Sequence, residues 1–253
     1  MPLILETIPC LSDNYAYLIH DPDTGDTALI DAPEAGPILA ALAAKGWKLG
    51  QILITHHHPD HIDGVAEIVA ATGAQVLGAN ADAHRLPPLN RALREGDTVQ
   101  VGGSTGVVMD VSGHTIGHIA FYFAADHLVF TADSLMAGGC GRLFEGTPDM
   151  MWASLQKLAV LPPKTWVCSG HEYTTSNLAF AAHVDADNPA LIARINRVNL
   201  ARAEGRPTVP SRLSGELATN PFLRSDALKF ALGATTDAHA FVILREMKNN
   251  FRG

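Results

Sequence analysis

The run His56-His57-His58-Pro59-Asp60-His61 places several candidate metal ligands within six residues. The apolar residues before it predict a buried strand over 51–55, and side chains on an extended backbone alternate between the two faces. His56 and His58 therefore point the same way, whereas His57 points the opposite way and is left out of the ligand set.

The residues after Pro59 change from strand spacing to helix spacing. Their apolar positions recur with helical periodicity and end at Gly73, which places Asp60 and His61 in or beside the first helical turn. This second ligand pair is displaced from the first. One strand end with two displaced pairs favours two metal ions rather than one.

Three more ligand-type side chains follow short apolar runs that we predict to be strands. They are His114 after 107–111, Asp133 after 128–131 and His171 after 166–168. We expect His56, His58 and His114 to hold one ion, Asp60, His61 and His171 to hold the other, and Asp133 to bridge them. A set of imidazoles and carboxylates without cysteine favours catalytic Zn, Fe or Mn over a closed structural Zn site.

Other candidate residues have weaker signals. His118 is expected to hydrogen-bond near the ligands, because metal-bound imidazoles need outer partners. Asp31 also follows an apolar run, and it either ends the strand or orients a ligand. Asp13 and Asn14 have the character of turn residues. The isolated histidines, which we interpret as surface or packing residues, are His20, His84, His127, His183 and His239.

Composition indicates a folded protein with a sizeable core. Hydrophobic residues make up 47% of the 253 residues, and no apolar stretch approaches the roughly 20 residues that span a bilayer. Residues 1–10 show no export signal. We therefore expect a cytoplasmic protein with no membrane partner, and a monomer.

The three cysteines are too few and too scattered for a disulfide framework, and we expect them to be reduced. Cys168 lies near His171 but is interpreted as a buried strand thiol rather than a nucleophile. The formal charge of −8 argues against nucleic-acid binding, which normally requires a basic face.

The order of elements predicts an α/β (α+β) fold in two domains. Residues 1–172 are expected to form an αββα sandwich of mixed sheets with helices outside, and 173–253 a small helical domain. The predicted elements are a hairpin over 15–19 and 27–30 and helices over 37–45, 62–72, 149–161, 176–183, 189–203, 226–232 and 237–249. Loops rich in Pro, Ser and Gly, such as 205–215, join the later helices.

The histidine run resembles the H-x-H-x-D-H motif of the metallo-β-lactamase superfamily. Three further segments, 138–146, 169–174 and 245–251, resemble the glyoxalase II family, the hydroxyacylglutathione hydrolases. The resemblance implies a thioesterase that converts S-(2-hydroxyacyl)glutathione, chiefly S-D-lactoylglutathione, to D-lactate or another 2-hydroxy acid and glutathione, the second step of methylglyoxal detoxification. It also implies the same seven metal ligands.

The resemblance further implies a substrate-binding set: Arg142, Phe144, Tyr173, Arg245 and Lys248. Many family members carry tyrosine where this chain has Phe144, so one hydroxyl contact to the substrate is absent. Metal coordination lowers the pKa of water from about 15.7 to about 7, so the expected nucleophile is a hydroxide shared by the ions. Asp133 as bridge and Asp60 as a ligand that also holds the hydroxide proton are the expected catalytic carboxylates.

Two rival functions differ in class. A mononuclear-iron persulfide dioxygenase of the same superfamily uses fewer ligands and lacks the helical tail, so Asp60, His61, His171 and 245–248 argue against it. A metal-dependent nuclease is disfavoured by the acidic balance of the chain.

Overall fold

The computed structural model describes residues 1–252. Its contacts divide the chain into two compact units. The first unit contains Met1–Asp110 and Ile116–Phe130, and the second contains Val111–Thr115 and the chain from Thr131 onward. These units do not divide the chain at residue 172, where we predicted the boundary between a sandwich domain and a helical domain. That domain boundary stays a prediction.

The first unit is built on two sheets with helices packed beside the first. Its elements are β1 (Ile4–Cys10), β2 (Asn14–His20), β3 (Asp26–Ile30), α1 (Ala35–Lys45), β4 (Lys48–Leu53), α2 (Pro59–Ile62), α3 (Val65–Thr72), β5 (Gln75–Ala79), β6 (Arg91–Leu93), β7 (Thr98–Val101), β8 (Ser104–Asp110), β9 (Ile119–Phe123) and most of β10 (Leu128–Ala132). Strands β1 to β6 lie in chain order in one sheet. In that sheet β1 to β3 are antiparallel and β3 to β6 are parallel.

The core of the first unit lies between that sheet and helices α1 and α3. Ile38 from α1 and Ile68 from α3 are fully buried against Leu29 and Ile52, which β3 and β4 contribute. Helix α3 ends at Gly73, whose φ of 73° lies in the left-handed region that glycine adopts without strain.

Strands β7 to β10 form an antiparallel meander in the other sheet. In the first sheet, the parallel strand β4 ends at Leu53, so its carboxyl end leads through Ile54 and Thr55 into the histidine run that begins at His56.

The second unit is mainly helical. It contains β11 (Leu135–Met136), β12 (Gly139–Cys140), α4 (Pro148–Ala159), β13 (Trp166–Ser169), α5 (Thr174–Val184), α6 (Pro189–Ala203), β14 (Ser211–Arg212), α7 (Leu213–Thr219), α8 (Ser225–Leu228) and α9 (Asp237–Asn250). Strands β11 and β12 pair as a short hairpin. Gly170 N donates to Ala132 O at 3.1 Å, so the end of β10 lies beside the end of β13. Asp133 and His171 thus follow neighbouring strand ends.

Four predicted elements were wrong in extent. The helix predicted over 62–72 is divided into α2, which ends at Ile62, and α3, which begins at Val65, because Gly64 N donates to Ala32 O instead of continuing α2. The strand predicted over 51–55 is β4, which ends at Leu53. Beyond it Ile54 N still donates to Leu77 O of β5, but Thr55 O accepts from Ile119 N of β9, so the regular ladder between β4 and its neighbours stops. The loop predicted over 205–215 contains β14 and the start of α7, because long-range contacts order a segment whose composition favours a loop. The helix predicted over 226–232 is shortened to α8, and Gly233 follows with a φ of 67°. Within residues 1–252 no helix has both the length and the apolar character needed to cross a bilayer.

Candidate metal centre

The first group of predicted ligands lies on the segment that leaves β4. Ile54 N donates to Leu77 O at 2.8 Å, and Ile119 N donates to Thr55 O at 2.9 Å, which fixes the backbone just before the histidine run. His58 is the N-cap of α2 with extended backbone, and Pro59 takes the first helical position, where its missing N–H costs nothing. Asp60 and His61 lie in the first turn of a helix, as predicted.

His56 and His58 face each other. His56 Nε2 lies 3.1 Å from His58 Nδ1, and the His56 ring is fully buried. Two ligands on a tetrahedral ion, each about 2.05 Å from it, are separated by about 3.3 Å. The observed separation therefore fits two nitrogens that share one metal ion.

The second pair is held by a residue from β2. His61 Nε2 lies 3.8 Å from Asp60 Oδ2. Asn14 Nδ2 donates to both the backbone carbonyl and the Oδ2 atom of Asp60, each at 3.0 Å. Asn14 was interpreted as a turn residue, but it orients a ligand carboxylate. No local sequence signal indicates this role, because 46 positions separate the two residues.

Asp31 orients two of the ligand imidazoles. Its Oδ2 accepts from His61 Nδ1 and from Thr55 Oγ1, each at 2.8 Å, while its Oδ1 accepts from Thr55 N. Since the Thr55 hydroxyl proton points to Asp31, its oxygen accepts from His56 Nδ1 at 3.0 Å. Both imidazoles therefore carry their proton on Nδ1 and present the Nε2 lone pair for coordination.

By distance alone, Asp31 is itself a metal-ligand candidate. One ligand atom from each of Asp31, His56 and His61 lies within 4.8 Å of the others. The hydrogen bonds that its carboxylate accepts already engage both oxygens, so we assign it to orienting His61. Orientation of a ligand was one of the two roles predicted for Asp31.

His57 and His118 lie beside the ligand pairs and bond elsewhere. His57 Nδ1 lies 3.2 Å from the buried carboxylate of Asp82, which Arg85 also contacts with two nitrogens. The ring of His118 stacks on the ring of His56, with 4.6 Å between the ring centroids. The Nδ1 atom of His118 donates to Ile119 O at 3.2 Å. The structure thus brings His57 Nδ1 to Asp82, although the His57 ring also lies 4.9 Å from the His58 ring between centroids. His118 supports the ring of a predicted ligand.

The second group of predicted ligands converges on Asp133. Its Oδ2 atom lies 3.4 Å from His114 Nε2 and 3.3 Å from His171 Nε2, and all three residues are buried. Both separations equal, within about 0.1 Å, the edge expected between ligands on a tetrahedral ion. A carboxylate oxygen placed between two imidazoles is the arrangement expected for a bridging ligand.

His114 is oriented by a backbone carbonyl. Its Nδ1 donates to Arg142 O at 2.7 Å, which leaves Nε2 as the lone pair that faces Asp133. Gly141 precedes this carbonyl, and a Cβ atom at Gly141 would lie 1.9 Å from Asp133 O and 3.0 Å from His114 Nδ1. Only glycine permits this close approach between the backbone and two ligands.

Three of the predicted substrate-binding residues flank these ligands on the second unit. The Phe144 ring is 62% exposed and meets the His114 ring edge to face at 5.3 Å. The exposed Arg142 guanidinium lies 5.7 Å from the Phe144 ring. Tyr173 stacks on the His171 ring at 4.6 Å. Aromatic surface with one cation therefore lies directly beside two of the ligand imidazoles.

The other two predicted substrate-binding residues lie on α9. Lys248 Nζ is half-buried over the rings of Phe180 and Phe251 and donates to Ser176 O at 3.1 Å. Arg245 is 5% exposed, and its Nη1 donates to Cys140 O at 3.0 Å and to Gly141 O at 3.3 Å. Burial, and next to it the charge of Arg245, lower the pKa of the Lys248 ammonium from 10.5 to about 8.

The cysteines lack the environment of a nucleophile. Cys10, Cys140 and Cys168 are buried as free thiols. Burial raises the pKa of the Cys168 thiol well above its ordinary value, so the thiolate needed for attack is scarce at neutral pH. A catalytic role for Cys168 is therefore disfavoured.

Two protein-family models match adjacent parts of this chain. The model of the metallo-beta-lactamase superfamily matches residues 12–171. The model described as the hydroxyacylglutathione hydrolase C-terminus matches residues 172–251. Together the two matches extend over nearly the whole chain.

Relatives of known name are similar along their full length. A hydroxyacylglutathione hydrolase of Cereibacter sphaeroides is 60% identical over 255 residues, which cover 99% of this chain and 100% of that protein. One of Jannaschia sp. is 62% identical, with 97% of each chain covered.

Solved structures show the same fold. ETHE1 from Myxococcus xanthus aligns with a TM-score of 0.71 and 26% identity over 98% of this chain and 92% of that chain. TTHA1623, crystallised in a di-iron-bound form, aligns with a TM-score of 0.58 and 31% identity over 66% of this chain and 91% of that chain.

Proposed function

Since this chain belongs to the hydroxyacylglutathione hydrolase family of the metallo-beta-lactamase superfamily, we propose that it hydrolyses S-(2-hydroxyacyl)glutathione, chiefly S-D-lactoylglutathione, with two bound metal ions. The products are a 2-hydroxy acid, D-lactate for the lactoyl substrate, and glutathione. The observation that carries the metal requirement is the spacing of His56 from His58 and of Asp133 from two imidazoles, since all three distances fit ligands on a shared ion.

The proposed assignment gives each metal ion one pair of ligands from the histidine run and one histidine from a later strand end. His56, His58 and His114 hold one ion, Asp60, His61 and His171 hold the other, and Asp133 bridges the two. Four features support this assignment: the inward Nε2 atoms of His56 and His61, the backbone acceptor of His114, and the Asn14 contact that orients Asp60. Imidazole and carboxylate donors suit Zn, with Fe or Mn as the other candidates. The di-iron form of TTHA1623 supports a two-ion site in this fold.

Bound in such a site, two divalent ions supply a water whose pKa is lowered to about 7 and a positive charge that polarises the thioester carbonyl. The side chains of this chain prepare the reaction around them. Asn14 holds the Asp60 carboxylate in one orientation, in which that carboxylate can hold the proton of the nucleophilic hydroxide. Asp31 and Thr55 keep the Nδ1 protons of His61 and His56 away from the reacting atoms. No serine or cysteine nucleophile is required.

The glutathione part of the substrate is proposed to bind along Arg142, Phe144, Tyr173, Arg245 and Lys248. Glutathione carries two carboxylates and one ammonium, so cations in a chain of formal charge −8 offer it local complementary charge. Lys248 supports this role, because its half-buried ammonium bonds a single backbone carbonyl among the described contacts and carries a lowered pKa that an anion would raise. Phe144 and Tyr173 offer ring surface beside His114 and His171.

The rival functions have less support. Residues 172–251 match the hydroxyacylglutathione hydrolase C-terminus, which supports the hydrolase over the persulfide dioxygenase. A nuclease would require a basic face, which the overall acidic charge opposes. We further propose that the protein acts in the cytoplasm as a monomer, with no nucleic-acid or membrane partner.

One purified sample tests the proposed function. Elemental analysis measures metal per chain, and loss of the thioester absorbance of S-D-lactoylglutathione under nitrogen measures hydrolysis. We expect close to two transition-metal ions per chain and turnover without oxygen. Oxygen consumption with glutathione persulfide, together with no thioester loss, would instead support the dioxygenase.

A further inference from the structure

The hairpin of β11 and β12 connects two parts of the second ligand group. It begins two residues after the ligand Asp133 and ends two residues before Arg142, whose carbonyl accepts from His114 Nδ1. Gly141 N closes the base of the hairpin by donating to Ser134 O at 3.1 Å. A shift of this hairpin therefore moves one metal ligand and the hydrogen-bond acceptor of another.

The turn of the hairpin is anchored by a buried carboxylate from α7. Glu216 is fully buried, and its Oε2 accepts from Gly138 N at 2.8 Å. Its Oε1 accepts from Ser211 Oγ at 2.6 Å and pairs with the buried guanidinium of Arg194. A buried ion pair is weak evidence for stability, because desolvation offsets most of its attraction. Its value to the protein therefore lies in fixing the position of a turn.

Asn220, at the end of the same helix, holds both strands of the hairpin. Its Nδ2 donates to Met136 O at 3.2 Å on β11 and to Gly139 O at 2.9 Å on β12, and it also contacts Glu216 Oε2 at 3.2 Å. Its Oδ1 accepts from Phe222 N at 3.1 Å, so the amide has one orientation. One side chain thus bonds both strands of the hairpin and the carboxylate that anchors its turn.

We propose that Glu216 and Asn220 are positioning residues for the metal centre. They hold the hairpin in the one place where Asp133 Oδ2 and His114 Nε2 keep a separation that fits a shared ion. The packing leaves no room for a side chain here, because a Cβ atom at Gly141 would lie 1.9 Å from Asp133 O and 3.0 Å from His114 Nδ1. This inference rests on the proposed function, since it assigns these residues a role toward the metal ions and not toward the substrate.

Asn188 provides a matched control for Asn220. Both are buried asparagines whose Oδ1 caps the start of a helix, α6 for Asn188 and the short 3-10 helix Pro221–Leu223 for Asn220. Both also donate to a backbone carbonyl with Nδ2. Asn188 Nδ2 bonds Ala218 O at 2.9 Å, so its loss loosens the same helix, α7, without touching the hairpin. Asn220→Ala and Asn188→Ala are each expected to lower the melting temperature by roughly 2–8 °C.

Of the two asparagine variants, only Asn220→Ala is expected to affect the metal centre. Chelator competition should show metal affinity lowered by about 10–100-fold, as for other residues that orient ligands. The visible spectrum of the Co(II) form should change, and kcat should fall with little change in KM. Glu216→Gln should weaken metal binding in the same direction. In the metal-free protein, amide hydrogen exchange should speed up over 135–141 in Asn220→Ala and not in Asn188→Ala.

The outcomes separate the two proposals. Weak metal binding by the unmodified protein would contradict the proposed function, whereas the hydrogen-exchange comparison would still test the anchoring of the hairpin. Tight metal binding by the unmodified protein and by Asn220→Ala alike, with identical Co(II) spectra, would overturn the positioning role. Equal metal loss in Asn220→Ala and Asn188→Ala would overturn it too, because the effect would then reflect general loosening of α7.

Discussion

Asp31 Oδ2 accepts the Nδ1 proton of His61 at 2.8 Å, across 30 positions of sequence. The same oxygen accepts from Thr55 Oγ1, which in turn accepts from His56 Nδ1. One carboxylate therefore sets the tautomers of two ligands that are proposed to hold different ions. Its removal should disturb both ions together.

Asp31→Asn tests this coupling with minimal change of shape. Asp31 has a φ of 55°, and asparagine is among the few residues that tolerate this region. Asparagine has one acceptor oxygen and one NH2 group, so it cannot accept both from His61 Nδ1 and from Thr55 N, and we expect metal affinity to fall by about 10–100-fold. Chelator competition measures it. Asp21→Asn is the control, because the buried Asp21 carboxylate accepts only backbone N–H bonds among its described contacts; an equal loss in both variants would contradict the prediction.

Asp133→Ala and His57→Ala should have opposite outcomes. Asp133 lies between two imidazoles, so its removal should abolish turnover and reduce the metal content below two ions per chain. His57 bonds Asp82, which keeps its Arg85 partner when the imidazole is removed, so His57→Ala should retain both ions. Elemental analysis and steady-state kinetics measure the difference. Equal damage from the two substitutions would refute the exclusion of His57 from the ligand set.

Lys248 should give substrate binding a specific pH dependence. Its pKa of about 8 lies below the ordinary 10.5, so the ammonium is present below pH 8 and is lost as the pH rises through that value. KM for lactoylglutathione should therefore rise by roughly two- to fivefold between pH 7 and pH 9.5, with little change in kcat, as expected for a partly exposed ion pair.

Two comparisons isolate the lysine. Lys248→Met should raise KM at pH 7 and flatten the rise at higher pH. Lys229→Met, which removes a lysine paired with Asp237 on the same unit, should leave the profile unchanged. A thioester without the glutathione carboxylates should not respond to Lys248→Met. If Lys248→Met raises KM for that thioester as much as KM for lactoylglutathione, Lys248 has a structural role and does not bind the glutathione carboxylates.

Phe144→Tyr should tighten substrate binding slightly. The added hydroxyl offers one hydrogen bond, worth about 0.5–1.5 kcal/mol, so KM should fall by at most about tenfold with kcat nearly constant. The ring is 62% exposed, so the hydroxyl has room and overpacking should not oppose the gain. Phe230→Tyr, at a ring that is 83% exposed, serves as the control. An unchanged KM in Phe144→Tyr would mean that position 144 does not contact the substrate.

Local signals predicted most of the elements. Helix α6 extends from Pro189 to Ala203 as predicted, because an asparagine cap and a proline at the first helical position are both readable from sequence. The hairpin of β2 and β3 was also confirmed. Helix α7 was not predicted, because its first turn lies in the segment 205–215, whose composition favours a loop, and long-range bonds of Glu216 and from Asn188 to Ala218 O hold it in place.

In the candidate site too, some residues could be predicted from local sequence and others could not. The spacing of His56, His58, Asp60 and His61 within one short run predicted which side chains face each other. Most of the residues that orient these side chains could not be identified from the sequence. Asn14 lies far upstream of Asp60, and the acceptor of His114 is a backbone carbonyl, which every residue carries and no sequence motif marks. Sequence thus indicated the candidate ligands, whereas the residues that orient them became visible only in the fold.

The order of these partners along the chain has a consequence for biosynthesis. Asn14, Asp31 and Thr55, which orient Asp60, His61 and His56, all precede the ligands that they hold. At about 5–20 residues per second, a ribosome needs roughly 5–20 s to proceed from His61 to His171. During that interval the nascent chain already contains four ligands and the residues that orient them. The hydrogen bonds from Asn14, Asp31 and Thr55 to the first group can therefore form before His171 has been made, whereas the bond from Ile119 N to Thr55 O must wait for the chain beyond His114.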